Sequence, residues 1–120
     1  MEFLRRFWDS AVAVDPHARD LDEGRRFPIC RPEALESLFR DGGLVDVVCE
    51  SIEIPTRFSN FADLWQPFLG GTGPAPSYVA RLDPIQREAL AVRFERSLPR
   101  EFDGAISLVA RAWGVRGATR

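Results

Sequence analysis

Four aromatic side chains lie close together in a segment that is rich in aromatic residues, proline and glycine. Phe61, Trp65, Phe68 and Tyr78 fall within Asn60–Tyr78, which carries a single charged residue. These side chains could line a pocket for a small apolar substrate, because aromatic rings offer large apolar areas. Alternatively, they form a local core beneath the segment, the commoner use of buried aromatic residues. The sequence leaves both interpretations open.

Other residue types offer weaker catalytic or binding chemistry. His17 could act as a general base near Asp15 or Asp20, or it could be an exposed loop residue. Three arginines could bind an anion near a helix start, or form a solvated surface group: Arg25, Arg26 and Arg31. No nucleophile–base pair is visible, so we expect no catalytic residues.

The composition is that of an ordinary globular domain. Of 120 residues, 45% are hydrophobic and 28% are charged. A formal net charge of −2 argues against nucleic-acid binding through general basicity. Cys30 and Cys49 lack metal-ligand spacing, and there is only one histidine, so we expect no metal site. No apolar run suits a membrane span or a signal peptide, so we expect a cytoplasmic protein without a membrane partner.

Hydrophobic periodicity, together with residues that typically begin or end helices, predicts the elements that must position these residues. About four helices are predicted: Glu2–Val14, Pro32–Arg40, Asn60–Trp65 and Pro84 to about Leu98. Two strands are predicted: Leu44–Phe58 and Ala105–Val115. Gly70–Pro76 is predicted to be a loop. The last long helix is expected to direct Ile85, Leu90 and Phe94 towards the core.

The two predicted strands indicate an α+β fold. Two strands on either side of an insertion most simply pair antiparallel, which gives one domain over residues 1–120 with a helical insertion at about 59–98. The first half of Leu44–Phe58 is apolar on both faces, so we expect cover on both sides. In the last strand, Ile106, Leu108 and Ala110 are expected to alternate with Ser107, Val109 and Arg111 on the other face. Two strands alone make a marginal sheet, so the chain needs further strands.

Four segments together resemble the C-terminal half of class I S-adenosylmethionine-dependent methyltransferases. They read FLRRFWDSAVAVDP, EGRRFPICRPEALESLFRDGGL, ADLWQPFLGGTGPAPSYV and AISLVARAWGVRG. Their order and spacing are similar to the small bacterial members named methyltransferase type 11 or ubiquinone-biosynthesis-like methyltransferases. The resemblance implies that Val45–Ile54 and Ile106–Trp113 are the last two strands of a Rossmann-like sheet. The segment between them would be the helical cap over the substrate, with Phe61, Trp65, Phe68 and Tyr78 as substrate-binding residues.

The cofactor-binding half of that family has no counterpart here. The family places a glycine-rich turn after its first strand, whereas Gly70, Gly71 and Gly73 follow a broken helix. We therefore expect no S-adenosylmethionine binding by this chain alone. The resemblance implies the back half of a methyltransferase, as a truncated gene product or a fragment.

Two functional alternatives remain, and a third hypothesis, about assembly, applies to both. The chain is the substrate-cap region of a methyltransferase without methyl transfer of its own. Alternatively, it is a non-catalytic module that binds a small apolar molecule or another protein. In either case the missing neighbour strand would leave Ile106–Val115 as an open edge, and open edges recruit other chains. We therefore expect a homodimer that extends the sheet through this strand.

Overall fold

Two long strands pair with each other, and helices occupy the chain before and between them. The computed structural model describes residues 1–120. The α-helices are α1 Glu2–Val14, α2 Glu23–Arg26, α3 Pro32–Asp41, α4 Phe61–Trp65, α5 Pro74–Arg81 and α6 Pro84–Ser97. Two 3-10 helices are Pro16–Leu21 and Gln66–Leu69, and the strands are β1 Val45–Phe58 and β2 Ile106–Ala118. The predicted α+β class with an antiparallel strand pair is confirmed.

Local sequence signals account for most helix boundaries. Asp83 begins α6 with a capping box, since its carboxylate accepts the Gln86 N–H at 2.8 Å. Asn60 caps α4 by accepting the Asp63 N–H at 2.9 Å. Pro67 has no N–H to continue the α-helical pattern, and the chain tightens into a 3-10 helix there.

The structure corrects the prediction of a loop over Gly70–Pro76. Helix α5 begins at Pro74, within that segment. Gly73 has a φ of 92°, a conformation that glycine adopts without steric cost, and it turns the chain into the helix. Pro74 and Pro76 lie in the first helical turn, where backbone N–H groups have no intrahelical acceptor. Two prolines in a loop-like composition therefore mark a helix start.

The strand pair has two faces that differ in composition. We call the face that carries Ile54, Thr56 and Phe58 of β1 the inner face. Register places these residues opposite Ala110, Leu108 and Ile106 of β2. Ile106 and Leu108 are buried, whereas the intervening Ser107 is exposed, which confirms the predicted alternation in β2. The inner face packs on the helices only at this end of the sheet.

The prediction that the first half of β1 is covered on both sides is wrong. Helix α3 contacts both strands and brings Glu33 and Glu36 near Cys49, so it covers the outer face there. Val48, on the inner face, is 36% exposed. The helical core reaches only the opposite end of the strands, so nothing in this chain covers the inner face around Val48.

The core is concentrated at one end of an elongated molecule. The Cα radius of gyration is 17.4 Å, against roughly 13–14 Å for a compact domain of this length. Leu90 and Phe94 of α6 are fully buried, as predicted, but Ile85 is 83% exposed and its predicted core position is wrong. Ile85 lies in the first turn of α6, beyond the helices that cover Leu90 and Phe94.

Candidate functional site

The four predicted substrate-binding residues belong to one continuous aromatic cluster. Phe61 stacks on Trp65 with ring centroids 5.8 Å apart, and Trp65 stacks on Phe68 at 5.7 Å. The ring of Phe94 meets all three edge-on, at centroid distances between 5.6 and 6.3 Å. Helix α4, the 3-10 helix that follows it and α6 thus contribute to a single packed cluster of rings.

Helix α1 completes the aromatic cluster from the other side. Phe7 stacks on Phe68 with centroids 4.6 Å apart and meets Tyr78 at 6.4 Å. Trp8 lies 5.7 Å from the Tyr78 ring. Phe7 and Trp8 are buried, so α1 is as much part of this cluster as the insertion. The Asn60–Tyr78 segment is therefore packed onto the first helix of the chain.

Exposure divides the four predicted residues into two pairs. Phe68 and Tyr78 are buried, whereas Phe61 and Trp65 are half-buried. The Tyr78 hydroxyl donates to Asp15 Oδ2 at 3.3 Å. Burial, reinforced by the negative charge of Asp15, raises the pKa of Tyr78 to about 12. The rings and the phenol thus have partners within the chain, and substrate binding by these residues remains a prediction.

The remaining candidate groups do not converge on a catalytic site. The His17 backbone N–H donates to Asp15 Oδ1 at 3.0 Å, but the residue itself is exposed. Cys30 is exposed and Cys49 is half-buried, and both are free thiols. No group of three or more histidine, cysteine, aspartate or glutamate side chains is placed to hold a metal ion. Arg26 lies over the ring of Phe27, 5.4 Å from its centroid.

A buried carboxylate that the sequence analysis did not single out ties α1 to α2. Arg5 donates to both oxygens of Asp22, at 3.1 and 2.6 Å, and Asp22 also caps α2 through the Gly24 N–H at 2.9 Å. The hydrogen bond to Asp22 is the main reason why the pKa of Arg5 is raised above its usual value. This pairing holds the segment between α1 and α2 in place. The sequence does not distinguish Asp22 from its other acidic residues, so its role could not be predicted.

An apolar patch lies on the inner face of the strand pair beyond the core. Ile52 and Ile54 are each 59% exposed, and their register partners are Ala112 and Ala110. Together with Met1 and Arg111 these residues line a depression of about 190 Å³. We call Ile52, Ile54, Ala110 and Ala112 the apolar stripe. Along β2 it continues the buried inner-face positions Ile106 and Leu108, whereas on β1 Thr56 lies between the stripe and Phe58.

The backbone edge of β2 that faces away from β1 is a second surface that could bind another chain. The Val109 N–H donates to Glu2 Oε2 at 3.0 Å and therefore points away from β1. Its register partner is Pro55, whose missing N–H falls on the free edge of β1. Because hydrogen bonding alternates along an antiparallel pair, the N–H groups of Arg111 and Trp113 also point away from β1. The free edge of β2 lies beyond Val109.

The outer face of the strand pair is polar opposite the apolar stripe. Arg111 approaches Glu53 at 3.7 Å and lies over the Trp113 ring at 4.9 Å from its centroid. Arg57 donates to Asp103 at 2.7 Å. The apolar and polar faces of one strand pair thus resemble a sheet that is solvated on one side and packed on the other.

No family model, curated protein or solved structure matches this chain. None of its helices is long and apolar enough to cross a membrane.

Proposed function

We propose that this chain is a non-catalytic interaction module that pairs with a second copy of itself through its strand pair. The observation that carries this proposal is the free edge of β2 beyond Val109, and the apolar stripe on the adjoining inner face is a second surface that a partner can cover. Fully burying an isoleucine side chain contributes about 1.5–3 kcal/mol. Ile52 and Ile54 are each 59% exposed, so more than half of that contribution is available to a partner.

A second copy suits the free edge because β2 can pair with itself. Two antiparallel copies of β2 related by a twofold axis would give a four-stranded antiparallel sheet. Such a sheet meets the need for more strands than the two that this chain supplies. The inner faces of both copies would then form one continuous apolar surface across the axis.

The strand pair and its helical insertion also have the arrangement expected from the methyltransferase family that the sequence resembles. An antiparallel strand pair with helices α4 to α6 between its strands is what the cap and last two strands of a class I methyltransferase would require. We propose that the module is the substrate-cap region of that lineage and does not transfer methyl groups on its own.

The glycine cluster does not fit the cofactor of that family. Gly70, Gly71 and Gly73 lie between a 3-10 helix and α5, and none of them follows a strand. A dinucleotide-type or S-adenosylmethionine-type turn needs glycines between a strand and a helix, where backbone N–H groups face the ligand. Adding a Cβ at Gly71 would meet nothing within 4 Å, so its role is conformational, with a φ of 72°.

Sedimentation equilibrium tests the assembly. We expect a mass about twice the 13.5 kDa of one chain at micromolar concentration. Arg111→Pro removes an outward N–H from the edge of β2 and leaves the ladder to β1 intact, so it should abolish the dimer. Arg111→Ala is the matched control, since it removes the same side chain and keeps the N–H. A monomeric wild type would refute self-pairing, as would a dimer that tolerates Arg111→Pro.

Calorimetry with S-adenosylmethionine tests the cofactor part separately. We expect no heat of binding with the wild-type chain. Saturable binding with a stoichiometry near one per chain would refute the non-catalytic assignment, whatever the oligomeric state.

A further inference from the structure

One side chain of α1 occupies the edge of β2. Glu2 Oε2 accepts the Val109 N–H at 3.0 Å, and Glu2 Oε1 accepts from Arg6 Nε at 3.1 Å and Arg6 Nη2 at 2.9 Å. Arg6 also donates to the carbonyl oxygen of Ser97 at the end of α6. The carboxylate thus bridges the strand edge to two helices, and each of its oxygens has its own partner.

The contact blocks one donor that an incoming strand would need. A strand that pairs along the whole of β2 must accept the hydrogen bond that Val109 now gives to Glu2. Met1, which precedes Glu2, lines the same depression as Ile52 and Ile54. The first turn of α1 therefore lies over both the edge and the adjoining part of the apolar stripe.

Charges at a strand edge are a recognised means of limiting unwanted pairing between sheets. Two oppositely charged side chains hold each other in place here, and each is about one-third exposed. Partial burial raises the pKa of Glu2, but the Val109 N–H and the Arg6 guanidinium outweigh it, and the net pKa lies below the usual value. The ionised form is therefore the one that the folded chain favours.

We propose that Glu2 and Arg6 form a latch that keeps strand pairing off the Val109 end of β2. Pairing is then confined to the edge beyond Val109, which sets the register of the two copies and limits their affinity. This inference rests on the proposed homodimer. In the latched state, twofold pairing centred near Gly114 needs no displacement of Glu2, whereas pairing centred on Ala112 does.

Two substitutions at Glu2 separate the loss of the acceptor from the loss of charge. Glu2→Ala removes the acceptor and should tighten self-association about tenfold, which corresponds to ~1.4 kcal/mol. Glu2→Gln keeps an oxygen that can accept from Val109 and should change affinity less. Glu33→Ala is the matched control, since Glu33 is the acidic residue in the first turn of α3. Sedimentation measures the dissociation constants.

Amide hydrogen exchange at Val109 gives a readout that is independent of the dimer. At concentrations where the chain is monomeric, Glu2→Ala should accelerate exchange at Val109 at least about tenfold, and Glu33→Ala should not. Unchanged exchange in Glu2→Ala overturns the latch. If all variants are monomeric at every concentration, the homodimer fails, and exchange at Val109 alone decides whether Glu2 guards the edge. If the wild type dimerises and Glu2→Ala binds no tighter, the latch is overturned while the homodimer stands.

Discussion

Truncating Phe68 to alanine tests whether the cap aromatics hold the fold. Phe68 is 4% exposed and its ring lies within 6.3 Å of four others, those of Phe3, Phe7, Trp65 and Phe94. Removing a fully packed phenylalanine typically costs 3–5 kcal/mol, from lost transfer energy and the cavity left behind. A domain of this size has a total stability of about 5–15 kcal/mol. Phe68→Ala should therefore remove a large part of it.

Urea unfolding followed by circular dichroism measures the effect of Phe68→Ala. With a slope of roughly 2 kcal/mol per molar urea, the midpoint should fall by about 2 M. Leu69→Ala is the matched control, because the neighbouring Leu69 is 46% exposed and should lose less than ~1 kcal/mol. Phe68→Leu keeps most of the volume and serves if the alanine variant does not fold. A loss below ~1 kcal/mol for Phe68→Ala would refute a structural role and leave the ring free for a ligand.

Two further predictions concern polar groups around α1. Tyr78 is the only tyrosine, so the absorbance of tyrosinate reports it alone, and we expect a midpoint near 12, as its pKa is raised to about 12. The fold favours the neutral phenol, so the contribution of Tyr78 to the free energy of unfolding is fully present below pH 10 and is lost as pH rises towards 12. Tyr78→Phe should make the free energy of unfolding less dependent on pH in this range. A tyrosinate midpoint near 10 would contradict the raised pKa. Asp22→Asn should cost about 1–2 kcal/mol in thermal or urea unfolding, because Asp22 is buried while its partner Arg5 is half-exposed to screening solvent. Asp9→Asn breaks the exposed bond to the same Arg5 and should cost less than ~0.5 kcal/mol; equal losses would show that the burial of Asp22 is unimportant.

The sequence predicted the elements whose signals are local. Helix α6 begins at Asp83-Pro84 because cap and first helical residue are adjacent in sequence, and α1 ends before Pro16 for an equally local reason. The period-two pattern of β2 indicated which residues would be buried. Helix α5 was missed, because proline in a first turn and proline in a loop look the same without the backbone context.

The remaining features depend on contacts between distant parts of the chain. Ile85 fits the apolar pattern of α6, but its burial depends on whether another element reaches the first turn, and none does. Similarly, the alternation of residues in β1 does not reveal how far along the strand the helical core extends from Phe58. The bond from Val109 to Glu2 joins residues at opposite ends of the sequence, and no local pattern announces it. The candidate aromatic residues could be named from sequence, but their contacts with Phe7 and Phe94 could not be predicted.

The two surfaces considered for binding differ in what a ligand would have to displace. A ligand among the cap aromatics must separate the Phe68 ring from Phe7, stacked 4.6 Å away, and open a core that also packs Phe94. That opening costs several kcal/mol, on the scale of a core truncation, before any new contact forms. A partner on the apolar stripe would displace water and the exposed Met1 side chain from around Ile52 and Ile54, would open no packed core, and would gain the burial of both isoleucines. The strand pair would therefore be the surface at which binding costs less, because the aromatic side chains of the Asn60–Tyr78 segment already pack against α1.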